Sequence, residues 1–203
     1  MKIYKDMIQS SEEWKQIRLG KVTASKFSAV LAKGAGKTRK AYMTTLATEK
    51  LTGLQQESYT SGAMEWGKEQ EPFARQYYET LNGLKVKQVG FVELNEWVGY
   101  SPDSLVGDDG CLEIKCCNST THITTILSEK MPSKHKAQVQ GGLWVTGRKW
   151  CDFISYDPRV KSRPFFSIRI DRDEKYIKEL EIQITMFVEE LKSMIEKLTV
   201  IEF

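Results

Sequence analysis

A hairpin pattern near the middle of the chain constrains its fold more than any other feature of the sequence. Asp103 is followed by a Gly-Asp-Asp-Gly stretch at 107–110, which is typical of a tight turn, and then by the triplet Glu113-Ile114-Lys115. Residues two apart on a β-strand point to the same face, so Glu113 and Lys115 share one face and Ile114 points into a core. The turn would bring Asp103 beside Glu113. The pattern therefore predicts two carboxylates and one ammonium group on a single surface.

This set of groups suits one kind of chemistry. The carboxylate oxygens of Asp103 and Glu113 are hard ligands that prefer Mg²⁺ or Mn²⁺ to zinc, and the backbone carbonyl of Ile114 offers a further oxygen. Lys115 can reach the same phosphate as Glu113, so the pattern indicates cleavage of a phosphodiester bond with a divalent cation. The alternative is a surface hairpin with ordinary charges, because short patterns of this kind are common by chance.

Length and composition fit one soluble globular domain over residues 1–203. Hydrophobic residues make up 40% and charged residues 28% of the chain, and no apolar run approaches a membrane span or a signal-peptide core. The cysteines include the adjacent pair Cys116-Cys117 and do not resemble a disulfide framework, so a reducing cytoplasm is expected. Because His122 and His135 are the two histidines and no Cys-x-x-Cys occurs, a structural zinc site is not predicted.

Charge is distributed unevenly along the chain, although the formal net charge is only +3. Residues 15–50 carry nine Lys or Arg residues against one acid, Glu49, whereas residues 171–203 carry nine acids against five bases. A basic N-terminal segment such as residues 15–50, here called the basic front, usually has a polyanionic partner. An enzyme that cleaves phosphodiester bonds would need the same kind of partner. The pattern therefore favours nucleic-acid binding, with a solvated charged face as the alternative.

Hydrophobic periodicity predicts an α/β fold in which a central mixed β-sheet is flanked by helices on both sides. Two short helices are expected to begin at Ser10 and at Thr23–Ser25. Longer helices are expected over 40–51, 62–81, 133–145 and 177–198, and strands over 85–94, 97–101, 111–116, 150–156 and 165–170. The helix over 62–81 either starts near Glu69 or bends at Pro72, and Gly141-Gly142 weakens the helix over 133–145. We interpret Trp66 and Trp144 as core anchors, and the segment 156–159 as a strand-ending turn.

Eight short motifs follow one another along nearly the whole chain. They are Ile17–Ser25 (IRLGKVTAS), Trp66–Glu71 (WGKEQE), Ser101–Asp103 (SPD), Glu113–Cys116 (EIKC), Ala137–Gln140 (AQVQ), Trp144–Thr146 (WVT), Tyr156–Arg159 (YDPR) and Arg172–Tyr176 (RDEKY). Each motif is weak alone, but in this order they resemble the family of phage lambda exonuclease and the YqaJ-type viral recombinases. The resemblance implies the restriction-endonuclease-like core of the PD-(D/E)xK nuclease superfamily, with its active site on a β-hairpin.

The resemblance also implies a ligand set for the metal. Asp103, Glu113 and the backbone carbonyl of Ile114 would hold Mg²⁺, for which Mn²⁺ would substitute. Glu71 matches a carboxylate that a helix brings to the metals from outside the hairpin, and it could complete a second metal site. Whether one or two metals act stays open, because Pro72 follows Glu71 directly and leaves the local helix geometry uncertain.

Four further residues receive roles from the resemblance. Lys115 would position or deprotonate the attacking water and balance the charge near the phosphate. Gln140 would order the active site through hydrogen bonds, the alternative being an ordinary helix-surface amide. Arg18 would bind the terminal 5′-phosphate of the substrate, with Ser25 close by at the start of a helix whose free N–H groups favour an anion. Without the resemblance, Arg18 would be interpreted as an ordinary arginine at the end of an amphipathic helix.

The expected function is therefore a Mg²⁺-dependent 5′→3′ exonuclease that digests one strand of linear duplex DNA and leaves a 3′ overhang. By resemblance it would form a homotrimeric ring around DNA, act with a single-strand annealing protein, and work in a bacterial host's cytoplasm if phage- or prophage-encoded. The alternative is a site- or structure-specific endonuclease with the same metal centre. A DNA-binding module with a relict site is disfavoured, because Asp103, Glu113 and Lys115 are all present.

Overall fold

Strands of the second half of the chain form a sheet built around two long, buried strands. The computed structural model describes residues 1–32, 36–56 and 61–199, so Lys33 of the basic front lies outside the described residues. The four-stranded sheet has the order β5 (Ser104–Val106), β6 (Gly110–Cys116), β7 (Trp150–Tyr156) and β8 (Phe165–Asp171). β6 pairs with β5 antiparallel and with β7 parallel, and Glu113 lies opposite Phe153 in that register.

A second four-stranded sheet lies beside the first. Its order is β1 (Lys2–Tyr4), β3 (Phe91–Glu93), β4 (Val98–Tyr100) and β2 (Val22–Thr23). An isolated antiparallel bridge between Lys87 and Leu105 connects the segment before β3 to β5. The predicted α/β class is confirmed, but the strands form two mixed sheets instead of one. The expected strand over 85–94 is reduced to β3 and this bridge.

Helices cover both faces of the sheet that contains β6. They are α1 (Glu12–Arg18), α2 (Phe27–Val30), α3 (Lys37–Thr52), α4 (Gly62–Asn82), α5 (Ser119–Ser128), α6 (Lys136–Thr146) and α7 (Glu174–Thr199). Leu112 and Ile114 point from β6 into a cluster with Ala74 and Tyr78 of α4. On the opposite face Cys111 joins a larger cluster with residues of α3, α6 and α7. The alternation along β6 explains why its even-numbered side chains meet one helix layer and its odd-numbered ones the other.

Two of the helices differ from expectation. α4 runs without interruption through Pro72, because Ser61 caps its N-terminus and Pro72 lies on the exposed side, where water can reach the unpaired carbonyl. α5 was not predicted, since its threonine-rich sequence has low helix propensity. The signal that could have revealed it is Asn118, whose side chain accepts a hydrogen bond from the Thr121 N–H at the helix start. In the described part of the chain, no helix combines the length and apolar character that crossing a membrane requires.

The pair Gly141-Gly142, expected to weaken its helix, lies where α6 approaches its neighbours most closely. A Cβ atom added at Gly141 would overlap the fully buried ring of Phe27, and one added at Gly142 would lie 2.7 Å from the ring of Tyr100. Glycine at these positions therefore allows close packing of α6 against α2 and against β4.

Replacing Gly141 by alanine tests this packing. Alanine favours a helix by about 1 kcal/mol over glycine, but overlap with a buried ring costs about 1–3 kcal/mol, so Gly141→Ala should lower the free energy of unfolding. Urea unfolding would measure the change as a lower midpoint. Gly62→Ala is the control, because a Cβ atom there meets nothing within 4 Å. An unchanged or raised midpoint for Gly141→Ala would contradict the packing.

Candidate active site

The predicted hairpin forms and brings its two carboxylates together. β5 and β6 are joined by a turn at 107–109 in which Gly107 has a φ of +50°, a conformation that favours glycine. Asp103 lies just before β5, and its Oδ2 atom accepts a hydrogen bond of 2.6 Å from the backbone N–H of Ile114. The Asp103 carboxylate therefore lies across the hairpin from the Glu113-Ile114 peptide, as the sequence pattern predicts.

Glu113 is buried, with 1% of its surface exposed, and both of its carboxylate oxygens have donors. Lys115 Nζ lies 2.6 Å from Oε1, and Gln138 Nε2 donates to the same oxygen at 2.6 Å. Tyr100 donates from its hydroxyl to Oε2 at 3.1 Å. Because a buried charge is costly without partners, these contacts fix the carboxylate in one orientation. Sequence reasoning missed both Tyr100 and Gln138.

The Lys115 ammonium is held in its charged form. Burial lowers the pKa of Lys115, but the negative charges of Glu113 and Asp103 outweigh this effect and raise it above its ordinary value. A protonated lysine can orient a phosphate and stabilise negative charge, but it cannot accept a proton from water. The choice between positioning and deprotonating the attacking water stays a prediction for Lys115.

The surroundings of Asp103, in contrast, disfavour its charged form. Burial raises the pKa of Asp103 well above its ordinary value, and the negative charges of Glu113 and Glu71 raise it further. A hard divalent cation would relieve this repulsion, so the donor set fits Mg²⁺ or Mn²⁺. Within the described residues, no three His, Cys, Asp or Glu side chains are grouped closely enough to hold a metal ion. The ligand set of Asp103, Glu113, Glu71 and the Ile114 carbonyl therefore stays a prediction.

Glu71 reaches the site from α4 with the help of an arginine that sequence reasoning missed. Arg75, one helical turn later, forms an ion pair with Glu71. The same guanidinium donates from Nε to Ser104 Oγ at 2.9 Å and from Nη2 to the backbone oxygen of Asp103 at 3.2 Å. Arg75 therefore ties the predicted helix-borne carboxylate to the hairpin. Its i,i+4 spacing from Glu71 is the signal that could have found it.

Gln140 is not the glutamine that meets the catalytic carboxylates. Its Nε2 atom donates to the backbone oxygen of Asp171 at 2.8 Å, and its Oε1 atom accepts from the Asp173 N–H at 2.9 Å. The buried Gln140 amide thus connects α6 to the start of α7, while Gln138 contacts Glu113. The expectation that Gln140 orders the active site through hydrogen bonds is therefore corrected to Gln138.

The two residues expected to bind a terminal phosphate have different surroundings. Arg18, the last residue of α1, donates from Nη1 to Ser101 Oγ at 2.8 Å and lies 4.1 Å from the ring centre of Trp14. Burial lowers the pKa of Arg18 to about 10, so the guanidinium remains charged at neutral pH. Ser25 is exposed, and its hydroxyl lies 3.4 Å from Thr23 Oγ1. Ser101 lies two residues before Asp103 in the sequence, which puts Arg18 beside the segment that leads to the hairpin.

The helix expected to begin at Thr23–Ser25 starts with a 3-10 turn. Residues Ala24–Lys26 form a 3-10 turn, and α2 adds a single α-helical turn after it. The N–H groups expected to attract a phosphate there belong to this turn.

The two tryptophans interpreted as core anchors differ. Trp144 packs against the larger apolar cluster. The half-buried Trp66 ring instead has the Arg159 guanidinium carbon 4.2 Å from its centre, so its interpretation as a core anchor is corrected.

Comparison with known proteins supports one family. The chain matches the model of the YqaJ-like viral recombinase domain over residues 13–149. It is similar to LHK-Exo, an alkaline exonuclease from Laribacter hongkongensis, with 43% identity, a TM-score of 0.87, and coverage of 93% of this chain and 96% of that one. LHK-Exo has also been solved in complex with dAMP.

Two further similarities are weaker. A phage-related exonuclease from Haemophilus somnus 129PT has the same fold, with a TM-score of 0.71 and 18% identity over 88% of this chain and 96% of that one. The protein ExoD of Escherichia coli K12 is 35% identical over 63 residues, which are 31% of this chain and 72% of ExoD.

The different contacts of the two glutamines lead to opposite expectations. Gln138→Ala removes a donor to Glu113 and should lower nuclease activity on linear DNA about 10- to 100-fold with little change in stability. Gln140→Ala leaves the Asp171 carbonyl and the Asp173 N–H without partners. It should cost about 1–3 kcal/mol of unfolding free energy and change activity less than about threefold. Activity assays and urea unfolding of both variants measure these effects. A large loss of activity in Gln140→Ala and a small one in Gln138→Ala would contradict the corrected site.

Proposed function

Because this chain belongs to the YqaJ-like viral recombinase family, we propose that it is a Mg²⁺-dependent 5′→3′ exonuclease acting on linear double-stranded DNA. It removes nucleotides from 5′-phosphorylated ends and leaves a 3′ single strand for recombination by annealing. The observation that carries the proposal is the hairpin, which places Asp103 against the Glu113-Ile114 peptide and beside Lys115, while Arg75 connects Glu71 to the same hairpin. The similarity to an alkaline exonuclease at 43% identity supports it.

In the proposed reaction, the protein residues position the phosphate and stabilise charge. A divalent cation held by Asp103, Glu113 and Glu71 would supply Lewis-acid stabilisation of the phosphate. The Lys115 ammonium stabilises the negative charge that develops on the phosphate oxygens. Gln138 and Tyr100 do not touch the substrate in this scheme; they hold Glu113 in place through its two oxygens.

Preference for a 5′-phosphate is assigned to Arg18. An arginine presents a planar set of donors that suits a terminal phosphate, and burial next to Trp14 limits its side-chain freedom. Since Ser101 binds Arg18 and lies two residues before Asp103, a strand end held by Arg18 would lie near the metal ligands. A complex of the similar LHK-Exo with the mononucleotide dAMP is consistent with release of single nucleotides.

A homotrimeric ring around DNA and a single-strand annealing partner belong to the same proposal, and both rest on the family resemblance. The second candidate function is a site- or structure-specific endonuclease. It would use the same hairpin, since the carboxylates and Lys115 do not distinguish strand ends from internal bonds. Arg18 favours the exonuclease, because a residue that binds terminal phosphates has no use on closed DNA.

The two candidates predict different substrates. With Mg²⁺, the protein should digest linear duplex DNA with 5′-phosphate ends faster than the same DNA with 5′-hydroxyl ends, and it should leave a closed circle intact. Chelation by EDTA should abolish digestion, and added Mg²⁺ should restore it. Gel electrophoresis of strand-specifically labelled duplexes reports polarity. A nicked or linearised circle would identify the endonuclease instead.

Arg18→Gln tests the assignment of end recognition. Loss of the guanidinium should slow digestion of 5′-phosphorylated ends about 10- to 100-fold and leave the slower digestion of 5′-hydroxyl ends nearly unchanged. The ratio of the two rates is the measurement. Lys15→Gln is the matched control, because Lys15 lies on the same helix and pairs with the exposed Glu12. A ratio that Arg18→Gln leaves intact would remove Arg18 from end recognition.

A further inference from the structure

The turn after β7 holds an arginine in a fixed position at the surface. Asp157 is fully buried, and its Oδ1 atom accepts hydrogen bonds from the Arg159 backbone N–H at 3.0 Å and from Arg159 Nε at 2.8 Å. Its Oδ2 atom accepts from Arg159 Nη2 at 3.0 Å and from Ser119 Oγ at 2.6 Å. The carboxylate thus shares its charge among several donors while it fixes the direction of the guanidinium.

Trp66 supports the other side of the same group. The guanidinium carbon of Arg159 lies 4.2 Å from the centre of the Trp66 ring, which is close enough for a cation–π interaction. Trp66 lies on the second turn of α4, five residues before Glu71. An arginine held between a buried carboxylate and an aromatic face loses little further side-chain freedom when it binds a ligand.

This arginine is adjacent to the catalytic strand. Its Nη2 atom lies 3.4 Å from the backbone oxygen of Cys117, which is two residues beyond Lys115. Gly67, next to Trp66, approaches the backbone oxygen of Cys116, where an added Cβ atom would lie 3.6 Å away. The guanidinium therefore lies at the end of β6 where Lys115 and Glu71 also lie.

Arg159 retains donors for a ligand. Its side chain is 53% exposed, and among residues 1–32, 36–56 and 61–199 its Nη1 atom has no hydrogen-bond partner. Arg159 thus offers two free N–H groups from a fixed cation beside the site where a phosphate is cleaved.

A second arginine, Arg169, forms a similar arrangement elsewhere on the same sheet. Arg169 donates from two nitrogens to Asp152 at 2.9 Å, stacks on Trp150, and is also 53% exposed. Asp152, however, binds Tyr78 on α4, and it precedes Asp157 by five residues along β7, which is about 16 Å of strand. The two arginines share their chemistry but lie at different ends of β6, since Asp152 pairs with Leu112 whereas Arg159 contacts the backbone oxygen of Cys117 after the end of the strand.

We propose that Arg159, supported by Trp66, binds a backbone phosphate of the cleaved DNA strand next to the scissile phosphate. The inference rests on the proposed nuclease function and adds a substrate-positioning residue to it. The ligand is a phosphodiester of duplex DNA, because a fixed guanidinium with free N–H groups beside the catalytic strand matches a phosphate of that strand.

Salt-dependent DNA binding distinguishes this role from a structural one. The dissociation constant of a 5′-phosphorylated duplex would be measured by fluorescence anisotropy in EDTA at several KCl concentrations. Loss of one phosphate contact in Arg159→Gln should weaken binding about tenfold and reduce the slope of log K against log salt by about 0.9. With Mg²⁺, KM should rise by a similar factor while kcat stays within about threefold.

Matched variants complete the test. Arg169→Gln should leave the dissociation constant and the salt slope unchanged, and Arg159→Lys should keep the slope because it keeps the charge. The inference would be overturned if Arg159→Gln kept the salt slope of the unaltered protein. It would also be overturned if Arg169→Gln lowered the salt slope as much as Arg159→Gln does. So would an Arg159→Lys slope as low as that of Arg159→Gln. Failure of the unaltered protein to digest linear DNA would instead overturn the proposed function, so the two failures are distinguishable.

Discussion

The burial of the Glu113 carboxylate is the physical constraint around which the site is built. A carboxylate that is 1% exposed needs donors for both oxygens, since an unpaired charge in the interior costs several kcal/mol. Lys115 of β6, Tyr100 of β4 and Gln138 of α6 supply those donors. One strand from each sheet and one helix must therefore be in place before the carboxylate is held, so the site depends on the assembled fold as well as on the hairpin.

The same requirement explains the close packing of α6. Gln138 reaches Glu113 because the helix that carries it lies close to β4, where Gly142 faces the ring of Tyr100. Tyr100 therefore has two functions in the structure, since its ring packs against α6 and its hydroxyl holds Glu113. Packing and electrostatics are coupled at this position, and a side chain on Gly142 would disturb both.

Local sequence signals predicted the elements that depend on local interactions. The turn at 107–110, the hairpin strand and the long periodic helices α4 and α7 follow from turn chemistry and hydrophobic spacing. Local signals did not predict the division into two sheets or the reduction of 85–94 to β3 and one bridge. Strand pairing is determined by partners distant in sequence. α5 was missed because a cap and tertiary packing compensate for its weak helix propensity.

The sequence by itself determined that Asp103, Glu113 and Lys115 share one surface. The two-residue period of a strand and a turn of fixed length leave no other arrangement for them. Tertiary structure decided which glutamine joins that surface. Two residues apart on an α-helix differ by about 200° of rotation, so Gln138 and Gln140 point in nearly opposite directions. Only the docking of α6 selects one of them, because helix periodicity gives relative directions and long-range packing gives the absolute orientation.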